Sequence, residues 1–270
     1  MDAHQILISL LIGGIGGTLG GLFGIGGGLV IIPLLTIAFG SNPHLYQAAS
    51  LVTALLVTAG SVPRHIKARA IRWDFALRTI PFSLATVGLG IGIGVWLPDP
   101  IWLERIFAVF LLYVAVVEVL HRLKPRLSVA SSAPATERRG WGPAAIVGSA
   151  MGTLSGVLGI GGGVVAVPLM RVANRFDIRT TIATSALLVL PTVIAGALLK
   201  FATLASVHAP DGSVITVESS LALAGALAPG AFFGAYAGAA LVHRVPMGRL
   251  SLAFAAMCAL LSIRMMGFTL

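Results

Sequence analysis

Two stretches of this chain concentrate residues able to hold a small ion through backbone groups alone. Residues 17–35 read GTLGGLFGIGGGLVIIPLL, and residues 152–170 read GTLSGVLGIGGGVVAVPLM. At a constant offset of 135, 12 of these 19 positions are identical. Each copy sets a glycine, an isoleucine and three further glycines in a row: Gly24 then Gly26, Gly27 and Gly28, and Gly159 then Gly161, Gly162 and Gly163. A proline follows each, Pro33 or Pro168. Consecutive glycines are poor helix formers and admit positive φ, so a helix is expected to break at each copy. The proline suits the first turn of a new half-helix, or a kink. A half-helix that starts there presents free N–H groups and a partial positive charge, which attract an anion without any charged side chain. Close helix packing is the competing explanation for glycine, and it is preferred for Gly88, Gly92, Gly230, Gly234 and Gly238, which recur at spacings of four. Packing does not require three glycines in succession, so binding is favoured at the two triplets.

Hydroxyls supply the second element of such a site. Ser50 and Ser185 stand at equivalent places, 22 residues after Gly28 and Gly163. With Thr184, and Gln47 as a further candidate, they could donate to an oxyanion; bonding to their own helix backbone is an equal alternative. The candidate binding set is therefore Gly26, Gly27, Gly28, Gly161, Gly162, Gly163, Ser50, Thr184 and Ser185, with Gly24, Pro33, Gly159 and Pro168 as helix breakers. Asn42 is assigned to a turn.

Other chemistry finds little support. No Lys-Ser/Thr follows the glycines, which excludes a phosphate loop. All six histidines (His4, His44, His65, His121, His208, His243) fall at predicted span ends, against an intramembrane metal site. Cys258 has no histidine nearby, so neither a nucleophile nor a cysteine metal cluster is expected. Glu118 is placed to pair with Arg122 one helical turn on, with a proton relay as the lesser alternative. Arg78, Lys200 and Arg264 are expected to snorkel to the interface; Lys200 is also a lesser candidate for attracting anions in a vestibule. Neither catalysis nor a cofactor is called for.

The elements that must position these residues are membrane helices. The chain of 270 residues is 57% hydrophobic and 10% charged, with mean hydropathy +0.99. That leaves too few charges to solvate a soluble domain, where about 25% is usual. The net charge of +9 sits in short loops between apolar runs, as positive-inside topology requires, and does not suggest nucleic acid. The start, MDAHQILISLL, lacks a basic n-region and a cleavage site and is not read as a signal peptide. The first repeat (1–122) holds a broken segment at 5–39 and spans at 45–63, 75–97 and 101–120. Residues 123–140 form a polar, basic linker. The second repeat (141–270) holds a broken segment at 142–174 and spans at 178–201, 219–242 and 248–268. If each broken segment is a hairpin returning to its own side, every basic loop falls in the cytoplasm and both termini lie outside. The fold expected is thus an all-α polytopic membrane protein of two inverted repeats, each a glycine-broken hairpin plus three spans, in the cytoplasmic (inner) membrane.

The doubled Gly-x-Gly-Gly-Gly-x4-Pro-Leu element, each copy followed by Ala49-Ser50 or Thr184-Ser185, resembles the TauE/SafE sulfite exporter family over essentially the whole chain. That resemblance implies a secondary transporter for a small sulfur-containing anion, sulfite or an organosulfonate, working by alternating access. Export is the expected direction. Uptake of a related anion such as thiosulfate, or a membrane-embedded enzyme or assembly factor, are the alternatives. The partners implied are the anion and the lipid bilayer; a homo-oligomer is left open.

Overall fold

The computed structural model describes residues 2–97, 99–123, 140–174, 176, 178–204, 207, 214–241 and 247–266. The linker at 124–139, both terminal residues, and the side chains of His121 and Arg122 lie outside the described set, with the readings attached to them. Ten helices carry the fold among the described residues: α1 (Ala3–Phe23), α2 (Gly28–Phe39), α3 (Pro43–Lys67), α4 (Trp73–Trp96), α5 (Pro100–Leu123), α6 (Trp141–Leu158), α7 (Gly163–Asn174), α8 (Ile178–Thr203), α9 (Val217–Leu241) and α10 (Met247–Met265). The all-α class read from composition is what the chain adopts.

Glycine sets the two main breaks. α1 ends at Gly24 in the left-handed region (φ 68°), its N–H bonding Gly20 O; α6 ends the same way at Gly159 (φ 69°), bonding Ser155 O. Glycine tolerates this conformation because it has no Cβ. Each chain then reverses. Gly16 of α1 lies against both Gly27 and Ile31, so α2 runs back along α1 as a hairpin. Pro33 and Pro168 fall inside α2 and α7, beyond the first turn, where each lacks an N–H for the helix ladder. Of the two roles open to them, the first-turn position is not the one taken. Asn42 caps α3, its side chain accepting from Leu45 N–H at 3.4 Å, and Pro43 takes the first helical position.

Small residues let the helices touch at backbone distance. Gly13, Gly17 and Gly21 of α1 press on Leu227, Ala231 and Ala235 of α9, while Gly230, Gly234 and Gly238 press back on Leu10, Gly14 and Thr18. Residue numbers rise together, so α1 and α9 are parallel. Gly148, Gly152 and Gly156 of α6 meet Thr79, Ser83 and Val87 of α4 in the same sense. The first helix of each half therefore packs on the fourth helix of the other. α3 and α8 run oppositely: Gln47 meets Lys200, and Leu51 meets Gly196. α3 also lies along α9, with Gly60 facing Phe232 and the Arg64 guanidinium 3.8 Å from the centre of the Tyr236 ring.

Two glycines assigned to packing are not packed. A Cβ on Gly92 would meet nothing within 4 Å, and one on Gly88 only a Leu199 methyl at 3.5 Å. The glycines of α4 that touch α6 are Gly90, against Thr153, Gly156 and Val157, and Gly94, against Val157. The spacing of four was sound, but its phase was off by two residues, because the face toward α6 is fixed by Thr79, Ser83 and Val87.

α1, α3, α4, α8 and α9 are long and apolar enough to cross a bilayer. Large apolar side chains such as Leu11, Leu77, Leu89, Leu198 and Phe233 face outward. All four tryptophans lie at helix ends and are exposed: Trp73 and Trp96 bound α4, Trp102 is in the first turn of α5, and Trp141 opens α6. That is the placement of an interfacial aromatic belt.

Gly17→Leu and Gly152→Leu are expected to abolish monodisperse protein on size exclusion, since the new side chains would enter the backbones of α9 and α4. Gly92→Ala should keep the fold and raise thermal stability by up to about 1 kcal/mol, the helix preference of Ala over Gly.

Candidate functional site

The two glycine turns meet at the centre of the molecule. A Cβ on Gly28 would lie 2.9 Å from Ile160 Cα and 3.1 Å from Gly159 O; one on Gly163 would lie 2.5 Å from Gly24 O and 2.8 Å from Ile25 Cα. Each turn thus fills the space that the other's glycine leaves open. Gly26 and Gly161 both rest on Ala54 and Val189, residues related by the same offset of 135 and placed midway along α3 and α8. Positive φ at Gly26 (79°), Gly27 (83°), Gly161 (76°) and Gly162 (76°) makes glycine obligatory there for a second reason. Behind the turns, a Cβ on Gly27 would strike Gly16 O at 2.9 Å and one on Gly162 would strike Met151 O at 2.5 Å.

The backbone polarity at this junction is oriented by the same geometry. α2 and α7 begin at Gly28 and Gly163, so the N–H groups of Gly28 and Leu29, and of Gly163 and Val164, have no intrahelical acceptor. The N–H groups of Val30 and Ile31 bond back to Gly27 O at 3.0 and 3.1 Å, and those of Val165 and Ala166 to Gly162 O, both at 3.1 Å. Two positive helix ends therefore converge on one point from opposite halves.

The equivalent serines behave differently. Ser185 Oγ donates to Gly24 O at 3.0 Å and lies 3.3 Å from Gly163 O, tying α8 to both turns. Ser50 Oγ points at Gly28, is fully buried, and has no hydrogen-bond partner. A buried hydroxyl without a partner is costly in a protein interior. Thr184 is turned elsewhere: its hydroxyl accepts from Arg72 N–H at 3.1 Å, fastening the α3–α4 loop to α8. The structure thus brings the six glycines and both serines together and engages Thr184 with the Arg72 backbone instead. Pro33 is buried beside the turn and Pro168 half-buried.

Gln47 and Lys200 form a second cluster. Lys200 does not snorkel; it is 1% exposed. Its Nζ donates to Gln47 Oε1 at 2.7 Å and stands 2.9 Å from His44 Nδ1. Gln47 Nε2 donates onward to Val157 O at 3.0 Å, in the last turn before Gly159. A signal for this cluster was present in the sequence. His44 and Gln47 are three apart and share a helix face, and Lys200 interrupts an otherwise uncharged apolar run. Among the described residues no group of three metal-ligating side chains occurs, and Cys258 is a buried free thiol.

Comparison with known proteins places this geometry in a family context. The family profile described as "Sulfite exporter TauE/SafE" matches residues 9–265. A "Probable membrane transporter protein MamO" of Paramagnetospirillum magneticum is 29% identical over 93% of this chain. A "Probable membrane transporter protein" of Haemophilus influenzae is 34% identical over 67% of this chain and 68% of its own length. An Arabidopsis thaliana "Sulfite exporter TauE/SafE family protein 3" is 26% identical over 40% of this chain and 24% of its own. The chain spans 42% of the length of the first of these relatives. No solved structure matches it.

The serines give a direct test of roles. Ser185→Ala should lower thermal stability by about 1 kcal/mol, the net contribution of a buried hydrogen bond. Ser50→Ala should leave the melting temperature unchanged or higher, because no hydrogen bond is lost. Paired melting curves of the two variants check this.

Proposed function

This chain belongs to the TauE/SafE sulfite exporter family, and from that premise we propose that it is a multi-pass secondary transporter exporting a small sulfur oxyanion, sulfite or an organosulfonate. The observation that carries the reading is the meeting of two half-helix N-termini, one from each half, midway along α3 and α8. Broken helices inside a membrane place their free backbone groups where protein or a wet cavity receives them, and paired breaks in two halves are where transporters bind substrate. In the present conformation the turns close on each other. Parting them by the size of one anion would expose the first-turn N–H groups of Gly28 and Gly163 together with the Ser50 hydroxyl.

The attraction would come from dipoles rather than from a fixed cation. Such binding is modest, and release stays easy, whereas a bidentate arginine would hold an oxyanion tightly. The opposite course of α3 and α8, and the basic residues gathered in loops, support an inverted arrangement in the inner membrane with both termini outside and the 123–140 linker in the cytoplasm. Rocking of one half against the other about the turns would then expose the site to each side in turn. The sequence carries no nucleotide-binding motif and no paired acids for a sodium site, so the driving force is assigned to the substrate's own protonation or the membrane potential.

Purified protein in liposomes loaded with sulfite, taurine-like sulfonates, thiosulfate or sulfate is expected to release sulfite or a sulfonate faster than empty liposomes. Absence of flux for every sulfur anion refutes the reading. An imposed pH gradient or potential should change the rate and a sodium gradient should not; strict sodium dependence refutes the coupling. Gly27→Val and Gly162→Val should stop flux, because a β-branched residue cannot adopt the required φ. Ser50→Ala should raise KM with no loss of stability, which would separate binding from folding.

A further inference from the structure

The mechanism above does not use Lys200. This cation is as buried as the apolar core around it, near the C-terminal end of α8. Among the described residues its contacts are His44 and Gln47, and no carboxylate pairs with it. A charged ammonium has three N–H donors, so one remains after these two partners. Burying a cation without a counter-charge is expensive, and groups of this kind within spans mark ion pathways.

Position strengthens the case. Lys200 lies seven residues beyond Val193, which touches Gly161, so it stands about 10 Å along α8 from the turns at 1.5 Å per residue. The cluster is also connected to the turn chemically, since Gln47 holds Lys200 with one end of its amide and Val157 O with the other. The offset of 135 shows that the opposite end has no copy. Lys200 corresponds to His65, Gln47 to Ile182, and Ile182 offers only a methyl and its backbone carbonyl to Gly24. One end of the α3–α8 pair therefore carries a lysine–amide cluster, and the other does not.

We propose that Lys200, positioned by His44 and Gln47, is a second anion-binding station, which takes the substrate's sulfur oxyanion between the glycine turns and the end of α8. The inference rests on the transport reading above. The oxyanion accepts from the free N–H of Lys200 and supplies the counter-charge that the described structure lacks. Gln47 keeps its bonds to Lys200 and to Val157 O, so an anion held at Lys200 is linked through one amide to the turn at Gly159.

The chain holds three lysines, at 67, 124 and 200, so selective 15N-lysine labelling gives a readable NMR spectrum of the unmodified protein. Lys67→Arg and Lys124→Arg assign the signals without touching the cluster. Titration with sodium sulfite is expected to move the Lys200 signal saturably, while the other two follow ionic strength, as a sodium chloride titration calibrates. In liposomes Lys200→Met should raise the KM for sulfite about tenfold or more, the effect of losing one charge-assisted hydrogen bond. Lys200→Arg should recover most of it, which a purely structural lysine would not require. Sulfite flux with a silent Lys200 signal, or with an unchanged KM in Lys200→Met, overturns this station and leaves the transport reading standing. A saturable Lys200 response to sulfite in a protein that moves no sulfur anion supports the station and overturns the transport reading instead.

Discussion

The contact between the two glycine turns is the constraint on which the rest of this structure depends. A helix broken within an apolar medium strands its terminal N–H and C=O groups, and each stranded group costs several kcal/mol in hydrocarbon. Here each break is covered by the other break. Gly28 sits on Ile160, Gly163 sits on Ile25, and α3 and α8 close the remaining sides with Ala54 and Val189. Everything else follows from bringing these points together: short α2 and α7 fold back on α1 and α6, and the long helices of one half embrace those of the other.

Much of this was legible in the sequence, and the reason is chemical specificity. Three glycines in a row, twice, with a proline at matched distance, have few explanations in an apolar chain, and the positive φ values at Gly26, Gly27, Gly161 and Gly162 are the physical content of that signal. The helical class followed from composition alone. What was not legible depends on rotation about helix axes. Gly88 and Gly92 share a spacing with true packing glycines, yet the face α4 turns to α6 runs through Gly90. Thr184 adjoins Ser185 in sequence, but successive residues on a helix point about 100° apart, and it serves the Arg72 loop instead. Lys200 was expected at the interface because lysines usually reach it; partners 153 and 156 residues away hold it inside, and no local pattern announces such distances.

The duplicated plan is matched in its backbone and unmatched in its polar side chains. Ser185 bridges both turns while Ser50 is unbonded; Gln47 faces the second turn while Ile182 faces the first. A perfectly symmetric protein would have equal free energy in its two mirrored conformations. Under the proposed alternating access these substitutions would separate them, because the hydrogen bonds of one arrangement would have no counterparts in the other. Differences of one or two hydrogen bonds, about 1 kcal/mol each, suffice to favour one conformation severalfold without trapping it.

The cross-pairing of α1 with α9 and of α6 with α4 also bears on how the protein comes into being. The glycine face of α1 is made well before the surface it fits, which is not synthesised until residues 217–241 emerge. Through most of translation that face has only lipid or provisional neighbours. α4 waits in the same way for α6, though for a shorter stretch of chain. α9 therefore inserts beside a helix made long before it, and neither half carries the partner its own first helix needs. Splitting the gene at the linker would yield two fragments whose stability lies in each other.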